Sequence, residues 1–80
     1  MVPMMTPSAL HELVVQARSA ADAHAGRLVG MEVSVPPELA QHPVASILHD
    51  RLARVGLRGV EVTVHVRAGP IRVQRFEFQR

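Results

Sequence analysis

The chain is 80 residues long and 48% hydrophobic, with nine basic against seven acidic residues and a net charge of +2. That length makes one domain, which buries about 60–65% of the surface its unfolded form exposes. Cysteine is absent, which excludes a disulfide framework, a cysteine-ligated zinc site and thiol catalysis. The pI of about 11.1 is not a nucleic-acid signature. Every basic residue is Arg, so the chain stays cationic to very high pH on a small charge excess. No basic segment followed by an apolar stretch marks a secretory signal, and no run approaches the roughly 18–20 apolar residues of a membrane span. The expected compartment is the cytoplasm. Only Phe76 and Phe78 are aromatic, so the core must come from Val, Leu, Ile, Met and Ala. Dimerisation is a reasonable way for so small a core to gain burial.

Residues 1–6 read as a flexible tail and 7–80 as a single domain. Thr6-Pro7 is a helix start, with Thr6 as N-cap and Pro7 in the first helical position. Leu10, Leu13, Val14, Ala17, Ala20 and Ala21 recur at helical spacing, and Gly26 stops the helix. Residues 28–35 follow as a strand, with Val29, Met31, Val33 and Val35 on one face and Glu32 and Ser34 on the other. Pro36-Pro37 ends it. Glu38 suits the first turn of the next element, and Pro43 cannot lie inside a regular helix. A turn over 37–41 and a helix over 43–55 are predicted, with Val44, Ile47, Leu48, Leu52 and Val55 inward and Gly56 at the C-cap.

Val60, Val62, Val64 and Val66 alternate with Glu61, Thr63, His65 and Arg67, a second strand. Ala68-Gly69-Pro70 is read as a hairpin turn with Gly69 at positive φ, pairing this strand with the last one. In the last strand, Ile71 and Val73 are out of phase with Phe76 and Phe78. A β-bulge near Gln74-Arg75 would bring both pairs to the core. The fold class is therefore α+β: an αβαββ order, a three-stranded mixed sheet, and two helices on one face. The other face would show Glu32, Glu61, Thr63, His65, Arg67 and Arg72.

Chemistry-bearing patterns are sparse. The histidines His11, His24, His42, His49 and His65 show no three-ligand spacing, and each by itself reads as a surface or helix-end residue. His11-Glu12 opens the first helix, where Glu12 complements the dipole. Gly56-Leu57-Arg58-Gly59 has the G-x-x-G form of KH loops, but joins a helix to a strand, where glycines end one and begin the other. Arg58, Arg67, Arg72 and Arg75 concentrate in the last third and could meet an acidic partner surface or phosphate. No nucleophile–base set or phosphate loop points to an enzyme.

Taken in order, the segments resemble the hydrogenase/urease nickel-incorporation (HypA) family. His11-Glu12-Leu13 and the Ala-rich helix ending at His24-Ala25-Gly26-Arg27 are similar to its opening. Met31-Glu32-Val33, Pro37-Glu38-Leu39, Leu57-Arg58-Gly59-Val60-Glu61-Val62 and the stretch from Ile71 to Phe78 are similar to its later elements. The resemblance spans residues 10–78, the nickel-binding half. It implies a small accessory protein that passes Ni(II) to a maturation GTPase and on to the hydrogenase large subunit, with His11 as nickel ligand and Glu12 beside it. The family's zinc domain, with two Cys pairs, would lie where this chain has Gly69-Pro70, and ten residues precede His11 where the family has only the initiator Met. Three readings remain open: a reduced nickel-metallochaperone-like adaptor in [NiFe]-hydrogenase maturation, a metal-free docking subunit of the same fold, and, least favoured, a nucleic-acid-binding domain using the arginine-rich C-terminal hairpin.

Overall fold

The structure, a computed structural model, describes residues 7–79. The expected tail over 1–6 and the Thr6 cap lie outside them. Helix α1 spans Pro7–Ala23, β1 Arg27–Val35, α2 Val44–Arg54, β2 Glu61–Val66 and β3 Arg72–Gln79, with one 3₁₀ turn at Pro37–Leu39. The α+β class, the element order and the mixed three-stranded sheet are as expected.

The strand order is not a hairpin order. It runs β2-β1-β3, with β1 parallel to β2 and antiparallel to β3. The expectation that Gly69-Pro70 pairs β2 with β3 is therefore corrected, and the arginine-rich hairpin with it. Residues 67–71 instead carry the chain past the C-terminal end of β1, where the Arg67 N–H donates to the Val35 carbonyl (2.9 Å). Gly69 does adopt positive φ, at 116°, but it serves a crossing between strands two spacings apart, about 9–10 Å. The reason lies in what each edge offers. On β1, Phe76 faces Met31 and Phe78 faces Leu28, residues at the centre of the core. The outer edge of β2 offers only half-buried Val62 and Val64 and exposed Val66.

Two bulges tune the pairing of β1 with β3. Between Val33↔Val73 and Glu32↔Arg75 the extra residue is Gln74, the bulge the sequence calls for. It leaves Ile71, Val73, Phe76 and Phe78 all packed against the core. A second irregularity between Leu28↔Phe78 and Gly30↔Glu77 leaves Val29 unpaired. Val29 consequently turns to the open face and Leu28 is buried in its place, a correction to the simple alternation predicted for β1. Gly30 was the available signal, since a glycine inside a strand often marks a bulge.

The core lies between the helices and one face of the sheet. Leu13, Val14 and Ala17 of α1, Leu48 and Leu52 of α2, and Met31, Val33 and Val35 of β1 are its buried centre. Val55, expected inward, is 40% exposed, because α2 ends at Arg54 and Val55 is already in the non-helical C-cap conformation. There the Gly56 N–H bonds to the Ala53 carbonyl and the Leu57 N–H to the Leu52 carbonyl (3.1 and 2.9 Å), with Gly56 at φ 86°. This is a Schellman cap. Arg18 of α1 also donates to the Val55 carbonyl (3.0 Å), which ties the end of one helix to the other. The α1–β1 turn is closed by His24: its ring stacks on Phe78 (3.8 Å between centroids) and its Nδ1 accepts the Gly26 N–H (3.1 Å).

Leu48 has no exposed surface, so Leu48→Ala should cost about 3 kcal/mol in chemical denaturation. Gly56→Ala should cost about 1–2 kcal/mol through its positive φ alone, lowering the melting temperature by roughly 4–8 °C per kcal/mol.

Candidate functional site

Both helices pack on one face of the sheet, which leaves the other face uncovered by any described element. Residues opposite one another in register share a face, so the pairings place three rows of side chains there. Glu61, Gly30 and Glu77 form the first row, Thr63, Glu32 and Arg75 the second, and His65, Ser34 and Arg72 the third. Alternation along β2 places Arg67 beyond the third row on the same face.

Glu32 is the hub. His65 Nε2 lies 2.7 Å from one of its carboxylate oxygens, and Arg75 lies 3.9 Å from the other. A carboxylate only accepts, so His65 donates from Nε2. Glu32 retains 26% of its side-chain exposure, enough shielding to make the pair more than a fully solvated contact. Beside it, buried Ser34 accepts a hydrogen bond on Oγ from Gln74 Nε2 (2.8 Å). The bulge restores the phase of the phenylalanines, and its extra residue, Gln74, is the one that reaches Ser34. No buried side-chain polar atom among the described residues lacks a partner.

The face is electrically polar along the strands. At one end Glu32, Glu61 and Glu77 surround a depression of about 250 Å³ floored by Gly30. At the other end stand His65, Arg67 and Arg72. Of the four arginines proposed as a partner patch, Arg67, Arg72 and Arg75 are brought to this face. Arg58 is not. It lies in the α2–β2 connection, at the opposite end of β2 from Arg67. Gln74 follows Arg72 on this face by plain alternation, whereas Arg75 and Glu77 join it only because the bulge at Gln74 shifts the phase.

His11 and Glu12 are both exposed on α1, away from this face. His11 sits inside the helix, where its amide is committed to the intrahelical ladder. It shares a shallow depression with Val14, Arg51, Arg54 and Val55. Its charged neighbours there are cations. Among the described residues no three His, Asp or Glu side chains are grouped to hold a metal ion, and no helix is long and apolar enough to cross a membrane.

No protein-family model, curated protein or solved structure matches the chain.

The Glu32–His65 contact is testable by a double-mutant cycle. Glu32→Ala should destabilise by about 1 kcal/mol, and His65→Ala should cost about 0.5–1 kcal/mol less in the Glu32→Ala background than in the wild type. Equal costs in both backgrounds would mean the two side chains do not interact in solution.

Proposed function

We propose that this chain is a non-catalytic, cytoplasmic accessory domain that docks a protein partner through its open sheet face, acting as an adaptor in hydrogenase maturation. The observation that carries the docking role is the arrangement of that face. Its polar side chains are held in place by one another, Glu32 by His65 and Arg75 and Ser34 by Gln74, on a sheet anchored from behind by the core. A face with an acidic end and a basic end suits recognition of a partner carrying the complementary pattern.

The assignment to hydrogenase maturation rests on the segment resemblance. What supports it is that the similar segments coincide with structural units: Met31-Glu32-Val33 lies within β1, Pro37-Glu38-Leu39 is the 3₁₀ turn, and Leu57 to Val62 is the entry to β2. The partner on this reading is the maturation GTPase or the hydrogenase large subunit. Delivery of Ni(II) as cargo would fall to His11 and Glu12. The position of His11 within α1, where its amide is committed to the helical ladder, favours the docking role over the cargo role, which needs that amide for the metal.

Two measurements test this. Titrating the GTPase or the large subunit into the protein should show binding that Arg72→Glu with Arg75→Glu weakens about tenfold or more; binding unchanged by this double reversal would remove the open face from the interface. Calorimetric titration with Ni(II) should give the same weak binding in wild type and His11→Ala. A tight site lost with His11→Ala would restore the cargo role.

A further inference from the structure

The two outer edges of the sheet differ. On β3 the edge is broken by the bulge at Gln74 and carries Arg72 and Arg75. On β2 the edge runs Glu61–Val66 in unbroken register with β1, without proline, lysine or bulge to interrupt its backbone ladder. The bond from the Arg67 N–H to the Val35 carbonyl sets which backbone groups are spent. In a ladder these alternate, so Glu61, Thr63, His65 and Arg67 turn theirs toward β1, while Val62, Val64 and Val66 turn theirs outward.

We propose that two copies of the chain pair antiparallel along β2, about a two-fold axis at Val64, to form one continuous sheet. Three independent features meet in this register. The outward backbone groups match, because Val64 faces the partner's Val64 and Val62 faces the partner's Val66, each exchanging a pair of N–H···O=C bonds. The side chains on the open face match, because Glu61 falls opposite the partner's Arg67, twice by symmetry, with Thr63 opposite the partner's His65. Moving the axis to Thr63 or His65 keeps the backbone parity but separates every Glu61 from an arginine. The groove matches as well. Beside the β2 edge runs an open groove of about 500 Å³, lined by Ala45, Ser46 and His49 of α2 and by Val60 and Val62. Val66 is 55% exposed in the single chain. In the paired strands the partner's Val66 stands next to Val62 on the helix side, over that groove, and each copy covers the other's.

Such an isologous interface closes on itself and leaves no further β2 edge free. It does not depend on the adaptor role, and it leaves Arg72, Arg75 and Glu32 uncovered.

Sedimentation velocity across a concentration series tests the pairing, with amide hydrogen exchange on the same samples. An interface this small should assemble with a dissociation constant of about 10–100 µM. The amides of Val62, Val64 and Val66 should become protected as the dimer forms, while the protection of β3 stays constant. Glu61→Arg or Arg67→Glu alone, each placing like charges opposite one another twice, should weaken dimerisation about tenfold. The double variant Glu61→Arg with Arg67→Glu should restore it, and far-UV circular dichroism checks that each variant is folded. A chain monomeric throughout the series would overturn the proposal. So would a dimer in which those three amides stay unprotected, or one that the charge swap fails to rescue.

Discussion

The fold depends on β1 being hydrogen-bonded along both edges while one of its faces is sealed by two helices. Val33 and Val35 have no exposed surface, and Met31 has almost none. A strand so enclosed must have its backbone groups paired on both sides, since an unpaired buried amide or carbonyl forfeits its hydration without return. The crossover through α2 delivers β2 parallel to one edge, since a helix between two strands returns the chain to the end where the first began. The remaining edge takes β3, and the segment from Arg67 to Ile71 must pass over the end of β1 to reach it. The Arg67–Val35 bond fastens that passage.

From this arrangement the two faces of the sheet acquire opposite characters. One carries Leu28, Met31, Val33 and Val35 against Leu13, Ala17, Leu48 and Leu52. The other carries charges in rows, and because β1 is central, its single carboxylate Glu32 can be reached from both neighbours at once. His65 comes from β2 and Arg75 from β3. A β2–β3 hairpin with β1 at an edge would have denied Glu32 one of these partners. The same topology leaves β2 and β3 as the outer strands, and of the two only β3 pairs with β1 through bulges. Sheet order thus governs both the face proposed to meet a partner and the edge proposed to meet a second copy.

The docking role and the family resemblance bear on different parts of the molecule. The similar segments include the two ends of α1, where His11 lies among Arg51 and Arg54 and His24 is occupied in stacking on Phe78. His24 thereby holds the turn at Gly26, where a Cβ would come within 2.8 Å of the Gln79 carbonyl oxygen. The ordered polar network, by contrast, is on the far side of the sheet, on strands whose spacing is set by the core. On the adaptor role proposed above, metal handling and partner docking would rest on separate supports.

The sequence by itself determined every element and most of the core, because those depend on local periodicity. Helical spacing in α1 and α2, strict alternation in β2, and the phase slip between Val73 and Phe76 that demanded a bulge are all properties of neighbouring residues. It also determined that Gly56 would close α2 and that Gly69 would take positive φ. Only the tertiary structure decided which strands became neighbours, since a strand's two edges look alike in sequence and the choice rests on what lies across each. That choice turned an expected hairpin into a crossing, brought Arg75 to Glu32 and Gln74 to Ser34, and set Arg58 apart from Arg67, Arg72 and Arg75. Burial of the Leu28 side chain in place of Val29 was likewise decided by pairing with Phe78. The side-chain pattern of a strand is local, but its register and its partners are settled by long-range competition for the core.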